Sequence, residues 1–163
     1  MQKLTATVNG LKLSNMLPTP RIMENREKIL RLANNIISLG EPTPPCPVKH
    51  LFASGVYIRE IFMPAGSVVI GKIHTTEHFN EIVSGECIVF TADEEYMTRK
   101  AGDIFVSKAG VQKSLRCLTD VVWRTVHATN ETDVSKIEPE LTAESYSDLV
   151  NDQLILERKR IGI

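Results

Sequence analysis

His74 and His78 are separated by three residues, and Lys72 precedes His74 by two. Imidazole can ligate a metal, move a proton near neutral pH or, once protonated, hold an anion. A neutral imidazole offers a lone pair to a divalent ion, whereas a lysine offers only positive charge. Alternation along a strand puts Lys72 and His74 on one face. His78, at the start of the next strand, can turn toward the same cavity. Trp123, Thr125 and His127 also share a face, so a third imidazole can join. Two chemistries follow. His74, His78 and His127 make three ligands for zinc, iron, manganese or nickel and leave a position for water. Glu60 or Glu81 would then be the added carboxylate. Alternatively, Lys72, Lys113 and Arg59 join the imidazoles in an electropositive pocket for phosphate or carboxylate. Tyr57 and Trp123 would offer flat faces to a base or sugar ring. The surplus of cations favours the anion.

These residues lie in a β-rich stretch. From Val48 to Ala128 short runs alternate with turn residues: 56–63, 67–74, 86–90, 96–100, 103–107 and 121–127. The breaks are Pro64-Ala65-Gly66, Ser84-Gly85, residues 92–95, Ala101-Gly102 and Lys108-Ala109-Gly110. Regular short strands with glycine turns indicate a sandwich or barrel. Ahead of them a helix is expected over residues 20–39. Thr19 would be its N-cap, Pro20 its first residue and Gly40 its stop. Ile22, Met23, Ile29, Leu30, Ala33, Ile36 and Ile37 form an apolar stripe to be buried on the domain or on a second subunit. Residues 41–47, with four prolines, read as a stiff connector. Residues 1–18 read as a β-arm or a tail. Residues 128–133 read as a loop, Pro139 limits any helix around it, and residues 145–159 read as a helix. The chain therefore divides into an arm, helix and connector (1–47), a barrel (48–128) and an extension (129–163).

The segment from Pro64 to Gly85 resembles the first motif of the cupins. That motif is a glycine, five residues, His-x-His, three or four residues, a glutamate, six residues and a glycine. Here Gly66, Lys72-Ile73-His74, His78 and Gly85 keep every spacing, with Lys72 in place of the first histidine and His78 in place of the glutamate. Residues 102–113 resemble the second motif. Gly102, Asp103 and Gly110 fit, Lys108 stands where proline is usual, and Lys113 replaces the final histidine. The resemblance spans residues 50–127. It implies an all-β jelly-roll barrel sandwich, flanked by an N-terminal helix and a short C-terminal helix. A cupin metal site uses three histidines and a glutamate, so the ordinary four-ligand site is broken here. The wording of residues 71–85 and 123–133 also resembles small cupin-like proteins carried by tailed phages, which bring no activity with them.

Composition bounds the rest. The 163 residues are 42% hydrophobic and 24% charged, with a formal net charge of −1. That suits one globular domain and gives no general attraction to nucleic acid or anionic membrane. No apolar run reaches 18 residues and no signal peptide is evident, so the expected location is the cytoplasm. Cys46, Cys87 and Cys117 form no Cys-x-x-Cys pair and read as reduced thiols. Three functions stay open: a binder of an anionic metabolite such as a nucleotide or sugar phosphate; an enzyme, either a metal-dependent oxygenase or isomerase or a metal-free epimerase-like one; and a structural module with a vestigial pocket. The arm and the apolar helix suit a homodimer.

Overall fold

A computed structural model describes residues 18–40 and 45–149, with the backbone of residues 7–8 and 11–12. The strands β1 (Thr7–Val8) and β2 (Leu11–Lys12) pair as a short antiparallel ribbon. The rest of the expected arm, residues 41–44 of the connector, and residues 150–159 of the expected helix lie outside the described residues. Residues 146–149 are helical.

Helix α1 (Pro20–Leu39) runs between the caps that the sequence marks. The Thr19 hydroxyl accepts the Ile22 N–H, and Gly40 takes the left-handed conformation with its N–H on the Ile37 carbonyl. The buried face is centred on Asn25 and Ile29, one position away from the expected stripe. Asn25 donates to the Ala92 carbonyl at 3.1 Å, and Arg21 pairs with Glu95. The helix therefore docks on the turn at residues 92–95, and Ile22, Ala33 and Ile36 are half-buried beside Ile29. Met23, Leu30 and Ile37 stay exposed.

Ten strands follow: β3 (Val48–Ala53), β4 (Val56–Met63), β5 (Val68–Ile70), β6 (Ile73–His74), β7 (His78–Ser84), β8 (Glu86–Thr91), β9 (Glu95–Lys100), β10 (Ile104–Ser107), β11 (Lys113–Cys117) and β12 (Val121–Ala128). Helix α2 (Val134–Leu141) and β13 (Thr142–Ala143) follow, ahead of the helical residues 146–149. One antiparallel sheet has the order β10-β7-β12-β4-β3, and a second has the order β5-β11-β8-β9. β6 pairs with β13. Met63, Ile82, Cys87, Val89, Leu115, Cys117, Val121 and Trp123 form the core cluster. β12 shows why the core forms there: burial alternates along it, sending Val121, Trp123, Thr125 and His127 inward. Cys87 and Cys117 sit opposite one another in this core as buried thiols.

Three expectations change. The run 67–74 is not one strand but two: β5 ends just before Gly71, whose N–H still meets the Lys113 carbonyl in register with β11, and the chain then turns to pair Ile73 and His74 with β13 instead. β3 and β11 had no run of their own in the sequence reading. Pro139 does not prevent a helix: α2 forms around it, capped by Asp133. Burial of Ile137 and Leu141 against Tyr57 offsets the ladder bond that proline cannot donate. Among the described residues no helix is long and apolar enough to cross a membrane.

Candidate metal centre and its cavity

Three elements carry the three imidazoles to one point. β4 and β12 run in unbroken antiparallel register, with Thr125 opposite Arg59 and His127 opposite Tyr57. β7 pairs with the other edge of β12 up to Phe79 opposite Val126, which leaves its first residue, His78, beside His127. His74 ends β6 and is held there by β13, where Thr142 is its partner. The ring centroids are 4.2 Å apart for His74 and His78, 4.7 Å for His78 and His127, and 5.1 Å for His74 and His127. One ligand nitrogen from each lies within 4.8 Å of the others.

The protonation of this cluster follows from its surroundings. Burial pushes His74 down to about 2, His78 to about 4 and His127 to about 4. The charge of Lys113 adds to each shift, and Arg59 adds to those of His74 and His127. All three rings are therefore neutral at pH 7 and each keeps one lone pair. His78 Nδ1 lies 3.0 Å from the Thr76 carbonyl, which only accepts, so Nδ1 carries the proton and Nε2 the lone pair. That Nε2 is buried without a hydrogen-bond partner, as are Nδ1 of His74 and Nδ1 of His127. Burying an unpartnered polar atom is costly. Three such atoms on three adjacent rings fit one divalent cation, and imidazole donors suit zinc, iron or nickel better than manganese, which prefers oxygen. In tetrahedral zinc sites bonds of about 2.0–2.1 Å set ligand nitrogens about 3.4 Å apart, so an ion would draw the rings together.

Beside the cluster lies a cavity of about 480 Å³. Its walls are apolar at Ile61, Met63, Val69, Leu115 and Trp123 and polar around Arg59, Lys113 and Thr125. α2 closes one side with Ile137, Glu138 and Leu141. Lys113 is buried, and burial lowers it to about 8, with Glu94 acting against the shift. Lys72 lines the mouth but is half-exposed and pairs with Glu138 at 2.5 Å. Glu138 is the one acidic residue among those lining the cavity. Arg59 and Lys113 make no ion pair among the described residues.

The sequence-derived candidates thus divide. His74, His127, Lys72, Lys113, Arg59, Tyr57 and Trp123 all line the cavity, and His78 completes the triad behind it. Trp123 is no open platform: it is buried edge-on to Phe105, and its indole N–H donates to Asn80 at 3.1 Å. Glu60 and Glu81 are not carboxylate ligands. They project from the outer face of the sheet and pair with Arg124 at 2.7 Å and 3.4 Å, because their strand positions alternate away from Arg59 and Asn80. His50 shares a 2.7 Å hydrogen bond with Tyr57 at the cavity wall, and the Tyr57 ring stacks on His127. Glu138 was missed. Its only signal was the amphipathic spacing of Val134, Ile137 and Leu141 after an Asp133 cap, which Pro139 disguised.

No family model and no curated protein matches the chain. Among solved structures it is similar to ectoine synthase from P. lautus, at 14% identity and a TM-score of 0.51, covering 63% of this chain and 78% of that one. It is also similar to an RmlC-like cupin family protein with a double-stranded β-helix fold from Methanocaldococcus jannaschii, at 20% identity and a TM-score of 0.46 over 53% and 82% of the two chains. A cupin superfamily protein from Desulfitobacterium hafniense gives 13% identity and a TM-score of 0.47 over 54% and 81%. Likeness at such identity concerns the fold alone. The chain has the cupin jelly-roll fold, with an N-terminal helix and a short C-terminal helix.

Proposed function

We propose that the chain is a metal-binding cupin that holds a small organic anion beside a three-histidine centre. The observation that carries this reading is the histidine triad itself: a ligand nitrogen from each ring lies within 4.8 Å of the others, and each ring has a buried nitrogen without a hydrogen-bond partner. His74, His78 and His127 would hold the ion, and a ligand set of three with an open position is the usual catalytic arrangement. When bound, the metal would supply Lewis-acid polarisation of an oxygen on the ligand or on water. The chain's own residues do the rest. Arg59 and Lys113 attract a carboxylate or phosphate, and neither forms an ion pair among the described residues. Ile61, Met63, Leu115 and Trp123 accept an apolar body and exclude water. The Lys72–Glu138 pair bridges the cavity mouth to α2. This order reverses the preference drawn from the sequence, where the lysines outweighed the histidines. Lys72 is already paired, whereas each imidazole keeps a buried nitrogen without a partner.

The first test is elemental analysis of untagged protein purified without chelator or added metal. About one divalent ion per chain is expected, and it should be lost in His78→Ala and His127→Ala variants that still fold. Metal-free protein that also fails to take up zinc, iron, manganese or nickel in titration would refute the centre. The metal-free anion reading would then rest on Arg59 and Lys113 alone. It predicts thermal stabilisation by phosphate or a nucleotide that Lys113→Met abolishes.

A further inference from the structure

Lys113 stands apart from the other lysines. Lys28, Lys49, Lys72 and Lys136 reach solvent, and each pairs with an acid. Lys113 is the one buried lysine among the described residues, 8% exposed, and its amine makes no hydrogen bond or ion pair with any of them. Its backbone is held on both sides: Lys113 opens β11 opposite Thr91 of β8, and its carbonyl accepts the Gly71 N–H at 2.8 Å. The side chain lines two cavities, the one of about 480 Å³ beside the triad and a smaller one of about 140 Å³. The larger is of the size that takes a small metabolite. Arg59 lines it too, and the charges of Arg59 and Lys113 both reach His74 and His127, so the two cations border the same part of the cavity. Asp93 and Glu94 line the smaller cavity. Burying an ammonium without a partner is costly, and the group relieves that cost by giving up its proton. Burial lowers Lys113 to about 8, with Glu94 acting against the shift and Arg99 adding to it. At pH 7 roughly a tenth of the amine is then neutral, a few hundred times the share of an ordinary lysine. A neutral amine in such a site is a nucleophile toward carbonyl carbon.

We propose that Lys113 forms an imine with the carbonyl group of a small acid, a 2-oxo acid or an aldehyde phosphate, whose anionic group Arg59 holds. The ammonium first gives up a proton. The neutral amine then adds to the carbonyl carbon: an N–C bond forms, and the carbonyl electron pair moves to oxygen, which takes the proton that nitrogen loses. The hydroxyl of this carbinolamine recovers the proton first released and leaves as water, and the nitrogen lone pair closes the C=N bond. Ammonium and carbonyl have become a protonated imine and water, with charge conserved and nothing oxidised or reduced. Asp93 and Glu94 supply carboxylates to carry the proton between these steps. The assignment rests on the anion reading of the cavity and is independent of the metal.

The test is reductive trapping on the full chain. Cyanoborohydride is added to the protein with pyruvate or, separately, with glycolaldehyde phosphate, and peptide mass spectrometry locates the adduct. The two probes tell a carboxylate substrate from a phosphate one. The adduct is expected on Lys113 ahead of exposed lysines such as Lys72. It should be absent from that position in Lys113→Arg, which keeps the charge, and in Lys113→Met, with circular dichroism unchanged in the variant that is scored. Arg59→Gln should raise the probe concentration for half-labelling about tenfold without moving the label. Chelator-treated protein should still be labelled, so the loss of the metal reading and the loss of this one are told apart. Adducts confined to exposed lysines, or none at all, overturn the proposal. If the same probes nonetheless raise the melting temperature of the wild type, the anion site stands without a covalent step; if they do not, the anion reading falls as well. A label on Lys113 that is indifferent to Arg59→Gln overturns the assignment of an acidic substrate.

Discussion

Lys113 is a cation placed where burial discourages charge, and the rings it faces feel the consequence. Its field helps to hold all three imidazoles in the neutral form. It also opposes any cation that binds among them, so the site balances metal affinity against anion affinity. Lys113→Met keeps the shape and removes the charge. The variant should be at least as stable as the wild type, by up to about 1 kcal/mol, because a buried lysine without an ion pair is lost. Zinc should bind more tightly by isothermal titration at pH 7, and stabilisation by phosphate or carboxylate ligands should fall. Weaker zinc binding would show that Lys113 supports the ligands rather than repelling the ion. At this scale the sequence was informative where residue type and strand phase coincide. His74, His78 and His127 could be read as one site because strand alternation and the motif spacing both pointed inward. The fates of Lys72 and Trp123 could not be read, since each depends on a partner remote in the chain, Glu138 and Asn80.

Turns and the strands they join decide whether the imidazoles meet. Gly85 links β7, which carries His78, to β8, and has φ near +87°. A β-carbon there would be driven into the Asp120 carbonyl as well as strained by its backbone angle. Gly85→Ala should therefore destabilise the fold by about 3 kcal/mol or more in chemical denaturation, whereas most surface substitutions cost under about 0.5 kcal/mol. α2 is the other element that matters. Ile137 and Leu141 pack on Tyr57, whose ring stacks on His127. Ile137→Ala should cost about 2–4 kcal/mol and loosen metal binding without touching a ligand. A loss of stability with metal affinity unchanged would confine α2 to a packing role. The sequence disclosed α1 and most strands because caps, glycine turns and β-branched runs are local signals. It did not disclose β3 or β11. β3 is an edge strand, exposed along nearly its whole length, so alternation leaves little imprint. β11 begins with the buried Lys113 and runs into Ser114, which reads as polar. The helical face of α1 was displaced for a related reason: Asn25 is buried through a hydrogen bond to Ala92, an interaction that hydropathy does not reveal.

For the molecule as a whole, the metal centre should be visible in the pH dependence of stability. In the unfolded chain the histidines titrate near 6.5, whereas in the fold His78 and His127 titrate near 4 and His74 lower still. Above pH 6.5 the rings are neutral in both states and contribute no slope. Between 6.5 and about 4 the unfolded chain takes up protons that the fold refuses, so stability falls as pH falls. Below about 4, His78 and His127 charge in the fold as well, and only His74 continues the trend. Lys113 acts in a different window. With its folded value at about 8 against 10.5, it loses stability as pH falls from 10.5 to 8 and adds no slope below that. The lowered Glu60 and Glu138 likewise act only below the ordinary carboxylate range, near 4.5. The interval from 6.5 to 4.5 thus belongs to the triad, and its total effect is on the order of a few kcal/mol. Denaturant midpoints of the apoprotein should fall steadily across that interval, and His78→Ala/His127→Ala should flatten most of the slope. Saturating zinc should raise the midpoint above pH 6.5 and make the fall steeper, because protons then compete with the metal for the same nitrogens. A chelator should return the shallower apoprotein curve. A flat curve for the wild-type apoprotein would mean that the rings are charged or solvated in the fold, and the neutral ligand set would be lost with it.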